Sequence, residues 1–444
     1  MSKAEASVKD IFSGSVIVRP AGSLKGEITV PGDKSISHRS VMLGSIADGV
    51  TEVEGFLEGE DNLSTIGAFR SMGVAIERPG PSRVRIEGQG LKGLAEPDDV
   101  INAGNSGTTA RLLTGLLSAQ GFYSVLTGDD SLRKRPMKRV VEPLRLMGAS
   151  IDGRKGGSLL PLSISGRALK GVRYRTPVAS AQLKSAILLA GIYAEGETVV
   201  EEPARSRDHT ERMLRFFGAD VRTAGNATSV GSTNRLKGCR IIVPGDISSA
   251  AFFMAASIIT PASEILIKGV GVNPARTGII DILRKMGGTV RTLDEREVCG
   301  EPVADILVKS SALRGVEITG EELLPAIDEF PVICAVAAFA EGNTVISGAA
   351  ELRVKESDRI SAIAECLSST GVKAVEKKDG IIIEGNNGGT IKGGRINSRG
   401  DHRIAMSMAV AALRSEEGVE IDGAAAIDVS FPGFFTTLDG VRAS

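Results

Sequence analysis

The chain contains no tryptophan, and aromatic residues make up only 4% of its 444 positions. Stacking platforms for single-stranded nucleic acid are therefore not expected. An excess of either charge is missing too: 53 Lys and Arg stand against 54 Asp and Glu, a net charge of -1. A nucleic-acid or membrane-surface protein would carry a basic surplus, so any anion site here must arise from local clustering. The four cysteines, Cys239, Cys299, Cys334 and Cys366, are far apart and show neither CxxC spacing nor a disulfide framework. A reducing, cytoplasmic setting is expected. The three histidines, His38, His209 and His402, are equally scattered and lack zinc spacing, so neither a metal nor a cofactor is expected. The longest apolar stretch, near Val332 to Ala340, is too short to span a bilayer. Met1 to Gly14 carries Lys3, Glu5, Lys9 and Asp10 with no apolar core, so no signal peptide is expected.

What the sequence does have is self-similarity. Leu-Lys-Gly or a close variant begins at Leu24, Leu91, Leu169, Leu236, Leu313 and Ile391, at intervals of 67, 78, 67, 77 and 78 residues. Upstream of five of these lies a glycine placed to end a helix: Gly73, Gly148, Gly218, Gly287 and Gly371. Strand-like segments follow, such as Val84-Arg85-Ile86 and Ile381-Ile382-Ile383. After each tripeptide comes a polar cluster opening an apolar helix, at Asp33, Asn102 to Thr109, Ser180, Asp246, Asp328 and Gly400 to Arg403. A chance tripeptide would not carry correlated flanks. The pattern predicts six copies of a mixed α/β unit with two helices and several strands each.

A chain of this length argues for two domains, hence three units in each. The strand region from Ser15 to Leu24 has no unit before it and is expected to close the sheet of the last unit. The domains would then be 1–30 plus 243–444, and 31–242. The chain crosses between them at Pro31-Gly32 and Pro244-Gly245, a hinge made of two turns. With three units about a pseudo-threefold axis in each domain, helix N-termini would face one another across a cleft, and closure would exclude water.

Chemistry concentrates at the predicted helix mouths. In Leu352 to Arg359, the charged residues Lys355, Glu356 and Arg359 precede a helix whose apolar face is Ile360, Ile363, Ala364 and Leu367; Ser357 is expected to cap it. Free N–H groups and the helix dipole favour an anion there. Asp33 to Arg39 offers Lys34, Ser35 and Arg39 at another mouth, without the spacing of a P-loop. Asn102 to Arg111 is a glycine-rich loop entering a helix. The basic run Arg133 to Arg139, Ser180-Ala181-Gln182, Arg205 to Arg212, Asp328-Glu329 and Asp401-His402-Arg403 complete the series. Each alone is equally well read as a capped or solvated helix start. Together they predict an electropositive site for small polyanions.

Taken in order over nearly the whole chain, these motifs resemble those of the EPSP synthase (3-phosphoshikimate 1-carboxyvinyltransferase) family. The segments Asp33–Arg39 and Leu352–Arg359 are the most specific. The resemblance implies two domains of three βαβαββ units each. It implies transfer of the enolpyruvyl group of phosphoenolpyruvate (PEP) to the 5-hydroxyl of shikimate 3-phosphate, with loss of phosphate and no metal or cofactor, by a monomer. By position, Lys34, Ser35, Arg39, Ser180, Ala181, Gln182, Arg207, Asp328 and Lys355 would hold shikimate 3-phosphate. Lys34, Gly107, Arg135, Gln182, Arg359 and Arg403 would hold PEP, the site at which glyphosate would compete. Asp328, Glu356 and Lys34 would move protons; the roles of the two carboxylates are interchangeable on sequence alone. One departure is Val429, where many family members carry a lysine before Ser-Phe-Pro, so the PEP site would rest on fewer cations. Two rivals stand beside this reading. One is the enolpyruvyl transferase acting on UDP-N-acetylglucosamine, which needs a cysteine in a basic, glycine-rich loop that this chain lacks. The other is a non-catalytic anion-binding repeat protein.

Overall fold

Six helices among the described residues are buried almost end to end, and most of them are apolar on nearly every side. They are Lys34–Ser45, Gly107–Leu117, Ala181–Gly191, Ile247–Ile259, Phe330–Ala337 and His402–Ala412. Each opens at one of the polar clusters singled out in the sequence. The computed structural model describes residues 14–443; the N-terminal stretch read for a signal peptide lies, up to residue 13, outside them. Among the described residues, no helix is long and apolar enough to cross a membrane.

The chain forms two compact units. One comprises Gly32–Pro244 with Glu297–Glu301, and the other the described residues up to Pro31, Gly245–Arg296 and the chain from Pro302 onward. Each has its own hydrophobic core. In the first, helix Gly107–Leu117 packs on Ala181–Gly191 and on Lys34–Ser45. In the second, Ile247–Ile259, Phe330–Ala337 and His402–Ala412 pack on one another. The short segment Glu297–Glu301, inside the stretch expected to form one domain, belongs with the other unit.

Among the described residues, six small sheets accompany the six helices. The unit that runs Ile101–Asn102, helix Gly107–Leu117, Tyr123–Thr127, helix Lys138–Leu146, Ser150–Gly153 and Leu159–Ser165 is βαβαββ. Its first two strands pair in parallel across the buried helix, and the last two form an antiparallel hairpin that joins the second strand. Arg173–Val230 and Glu317–Glu384 repeat this plan. In the remaining units one strand comes from a distant part of the chain. Arg240–Ile242 joins Asp48–Glu54 in parallel, and Lys25–Thr29 joins Glu264–Gly271. Ser15–Val18 closes the last sheet by pairing antiparallel with Val419–Asp422, as expected from its lack of a unit of its own.

The recurring glycines have a common geometry. Gly73, Gly148, Gly218, Gly287 and Gly371 all lie at φ between +84° and +98°, the left-handed region open to glycine. In each case the next residue's N–H bonds a carbonyl five positions back, as in Val74 N to Phe69 O at 3.1 Å and Val372 N to Leu367 O at 3.0 Å. This is a Schellman C-cap five times over. An arginine accompanies four of these glycines. Arg70, Arg145, Arg215 and Arg284, each three residues before the glycine, donate Nε to the carbonyls of Ile76, Ile151, Val221 and Val290 at 3.1, 3.2, 2.8 and 3.0 Å. Each thus ties a helix end to the strand that follows it.

The glycines of five of the six Leu-Lys-Gly tripeptides serve another need; the exception is Gly26, where a Cβ would meet nothing within 4 Å. A Cβ on Gly171 would lie 2.3 Å from the Glu197 carbonyl oxygen, and one on Gly315 2.2 Å from that of Asn343. The chain passes too close to a neighbouring backbone for any side chain. At Gly218 (φ +97°), by contrast, a Cβ meets nothing within 4 Å. Gly218→Ala should therefore cost only the left-handed backbone penalty, roughly 1–2 kcal/mol. Gly171→Ala should cost clearly more, because backbone has to move. Chemical denaturation midpoints of the two variants compare them directly; equal losses would refute the distinction.

Candidate active site

The buried helices leave only their ends for polar chemistry. Their first N–H groups need acceptors, and nearby side chains supply them. Asp33 accepts from Ile36 N at 2.9 Å, Ser106 from Thr109 N at 3.1 Å, and Ser180 from Leu183 N at 3.5 Å. Asp246 accepts from Ser248 N at 2.8 Å, and Asp401 from Arg403 N at 3.0 Å. Helix Phe330–Ala337 instead has Pro331 in its first turn, which removes one N–H donor.

In the unit containing residues 32–244, Lys34 forms an ion pair with Asp61 of helix Glu60–Ser71. Arg39 is buried and fixed on three sides. It donates to Thr210 Oγ1 at 2.6 Å, Ser185 Oγ at 2.9 Å and the Ser35 carbonyl at 2.9 Å. Burial lowers its pKa from the ordinary guanidinium value to about 10, against the favourable pull of Glu211 and Asp33, so it stays cationic at neutral pH. Arg207 lies near enough to oppose it electrostatically. Gln182 is held at both ends of its amide: Arg111 Nη1 donates to its oxygen at 2.6 Å, and its nitrogen donates to Thr108 Oγ1 at 3.0 Å. Arg135 donates to Asn105 Oδ1 at 2.8 Å. A Cβ at Gly107 would fall 2.8 Å from Arg111 Nη1 and 3.4 Å from Arg135 Nη1. Gly107, Arg111, Arg135 and Gln182 thus form one cluster across two helix mouths. Arg111 stood only inside a quoted motif; its place beside Gln182, 71 positions on, needed the fold.

In the other unit the organising group is Arg359, 1% exposed. Its Nε and Nη2 reach Asp401 at 2.9 and 3.5 Å, Nη2 reaches Glu356 Oε2 at 2.7 Å, and Nη1 lies 3.5 Å from Asp328 Oδ1. Burial disfavours this guanidinium's charge, but the carboxylates of Asp401, Glu356 and Asp328 outweigh burial and raise its pKa. Asp401 likewise loses solvation, yet Arg359 and His402 hold it below the usual carboxylate range. Arg403 donates to the Asp328 carbonyl at 3.0 Å and lies 3.6 Å from Glu329 Oε1 and 3.8 Å from Asp328 Oδ2. The two carboxylates assigned to proton transfer therefore meet the same guanidinium. Asp401, in the sequence only the start of a polar cluster, anchors Arg359, the N-terminus of helix His402–Ala412 and Ser357.

One expectation is corrected. Ser357 does not cap the helix after the charged segment. That helix is Arg359–Ser369, and Asp358 caps it by accepting from Ser361 N at 3.1 Å. Ser357 instead donates to Asp401 Oδ2 at 3.0 Å. An aspartate one residue on is the better acceptor, and the hydroxyl is drawn to a buried charge. Arg353 is also clarified: it bonds Asp358, Glu376 and the Lys377 and Lys378 carbonyls, so it fastens the segment down. Lys355 ends the short turn Ala350–Val354 and is half-buried. Among the described residues, no cluster of three or more His, Cys, Asp or Glu is arranged to hold a metal ion.

His38 lies behind the first set. It is fully buried, with Nδ1 2.7 Å from Thr65 Oγ1, which is itself 2.7 Å from Thr109 Oγ1. Burial drives its pKa from 6.5 down to about 3. The unfolded chain therefore binds a proton that the folded chain refuses between those values, and acid favours unfolding there. The stability advantage of the parent over His38→Gln should be full above pH 6.5 and shrink by roughly 1.4 kcal/mol per pH unit on descending towards pH 3. Denaturation of both proteins across this range is the check; a constant difference would show that His38 is not held neutral.

The family model for EPSP synthase (3-phosphoshikimate 1-carboxyvinyltransferase) matches residues 18–438. The chain is 61% identical to the 3-phosphoshikimate 1-carboxyvinyltransferase of Geobacter metallireducens, over 97% of this chain and 99% of that one. It is 60% identical to the enzyme of the same name from Geobacter sulfurreducens, over 95% and 98%. Among solved structures, an EPSP synthase from Acinetobacter baumannii superimposes with a TM-score of 0.88 at 51% identity, covering 96% of this chain and 98% of the other. The enolpyruvyl transferase NikO from Streptomyces tendae gives a TM-score of 0.77 at 17% identity, covering 96% and 97%, a likeness of fold alone.

Proposed function

Because this chain belongs to the EPSP synthase (3-phosphoshikimate 1-carboxyvinyltransferase) family, we propose how its residues divide that family's reaction. The activity is transfer of the enolpyruvyl group of PEP to the 5-hydroxyl of shikimate 3-phosphate, releasing phosphate. Both substrates carry a carboxylate and a phosphate, so several fixed cations are required to bring them together. Lys34, Ser35, Arg39, Ser180, Ala181, Gln182, Arg207, Asp328 and Lys355 hold shikimate 3-phosphate. Lys34, Gly107, Arg135, Gln182, Arg359 and Arg403 hold PEP, and Arg111 supports the same cluster through Gln182. In the addition step, Asp328 takes the 5-hydroxyl proton as the oxygen bonds to C2 of PEP, and Glu356 delivers a proton to the methylene carbon. In elimination, a proton leaves the new methyl group, the double bond re-forms and phosphate departs, assisted by Lys34. The observation that carries this reading is the shared, buried Arg359, which holds Asp328 and Glu356 together beside Arg403.

The UDP-N-acetylglucosamine alternative is not favoured: Cys334 and Cys366 are buried, and Cys239 and Cys299 lie outside this constellation. Four unpaired thiols fit a reducing cytoplasm, and the enzyme is proposed to act as a monomer, which sedimentation analysis tests. Phosphate release from PEP should require shikimate 3-phosphate and should not occur with UDP-N-acetylglucosamine as acceptor. The opposite preference would overturn the assignment.

Glu356→Gln keeps the shape of the side chain and removes its proton chemistry. It should lower kcat by about 10²–10⁴-fold. Arg359 keeps Asp401 and Asp328, so stability should change by about 1 kcal/mol or less. Near-normal turnover with a lowered melting temperature would return Glu356 to a purely structural pairing. Gly107→Ala would push a methyl group onto Arg111 and Arg135. It should raise KM for PEP and weaken competition by glyphosate, which steady-state inhibition measures. Unchanged inhibition would remove Gly107 from the PEP site.

A further inference from the structure

Behind Ser180 and Arg207 lies a buried carboxylate that no step above uses. Glu202 directly follows strand Thr198–Glu201 and is 6% exposed. An ionised carboxylate offers about four acceptor positions, two on each oxygen. All four are taken. Oε1 accepts from Ser180 N at 3.1 Å and from Ser206 Oγ at 2.6 Å. Oε2 accepts from Ser206 N at 3.4 Å and lies 2.7 Å from Lys184 Nζ. Lys184 is equally buried, and its other carboxylate partner is Glu211, also at 2.7 Å. Burial works against the lysine's charge, but Glu211 and Glu202 outweigh it and raise its pKa, so Lys184 stays cationic at neutral pH.

The donors come from two separate stretches. Ser180 caps the helix that carries Gln182 and Lys184. Ser206 sits in the irregular segment between strand Thr198–Glu201 and helix His209–Phe216, one residue before Arg207. A saturated buried charge fixes its donors more tightly than neutral contacts do. We propose that Glu202 is a positioning residue for shikimate 3-phosphate: it joins the Ser180 helix mouth to the Ser206–Arg207 segment and sets the spacing between them. This rests on the assignment of Ser180 and Arg207 to that substrate. Glu202 takes its hydrogen bonds and its ion pair from Ser180, Ser206 and Lys184, none of which is assigned to PEP, so loss of the joint is expected to fall first on shikimate 3-phosphate.

Glu202→Gln replaces two of the acceptor positions by donors. It should raise KM for shikimate 3-phosphate about tenfold or more while KM for PEP stays within about twofold. Ser206→Ala removes a single donor and should shift the same constant in the same direction, by about two- to fivefold. If Glu202→Gln does not fold, as its melting curve would reveal, Ser206→Ala carries the test alone. A parallel rise in both KM values, a loss confined to kcat, or no change in either constant would overturn the proposal. Ser180→Ala and Arg207→Ala are measured alongside. If they raise KM for shikimate 3-phosphate and the Glu202 and Ser206 variants do not, the positioning role fails and the substrate assignment stands. If they leave it unchanged, the assignment itself fails and takes the proposal with it.

Discussion

Helices buried along their whole length have no water to satisfy their ends. In this chain that constraint applies six times, and it gathers the polar residues where they are found. The interiors of the buried helices hold alanine, leucine, isoleucine and phenylalanine, with small hydroxyls bonding back to their own backbone, as Thr114 does to Ala110 O and Ser407 to Arg403 O. Acidic and hydroxyl caps at five of the mouths satisfy first-turn N–H groups, and Pro331 removes one at the sixth. The field of each helix then favours negative charge just beyond its cap. An anion-favouring field at the helix mouths follows from how the cores are built, without any excess of basic residues in the chain as a whole.

The cations at these mouths are held in different ways, and each way suits a different task. Arg359 is enclosed by Asp401, Glu356 and Asp328, so its charge is permanent and its orientation fixed. Arg39 is enclosed instead by the hydroxyls of Thr210 and Ser185 and the Ser35 carbonyl, neutral acceptors that orient the guanidinium without cancelling its charge. Lys34 is half-buried and paired with Asp61, and Lys355 is half-buried at the end of a short turn. Fixed groups reduce the reorganisation required during reaction, and this is where enzymes gain most from electrostatics.

Much of the fold was legible before any coordinates. The five helix-ending glycines stand out because a left-handed residue has few substitutes. The strand at Ser15 could be sent to the last sheet because it had no unit of its own. The site was legible as motifs, since helix mouths are local in sequence. Less legible was which charged residue in a motif is structural. Arg353 and Arg359 lie six positions apart in the same charged stretch. One ties a loop to strand Lys373–Lys377 and the turn beyond it, and the other is buried among carboxylates. Composition treats them alike; only the packing around each separates them.

The sequence by itself determined the six-fold repetition, the positions of the helix mouths, and the residue types available at each. All of these are encoded within windows of about a dozen residues by periodicity, capping and glycine placement. The tertiary structure decided the pairings between distant windows: Arg111 with Gln182, Arg359 with Asp401, Glu202 with Ser180, and the return of Lys25–Thr29 and Arg240–Ile242 to sheets whose other strands lie elsewhere in the chain. These contacts depend on how buried helices settle against one another, and that is fixed by the shapes of whole cores, which no single stretch of sequence contains.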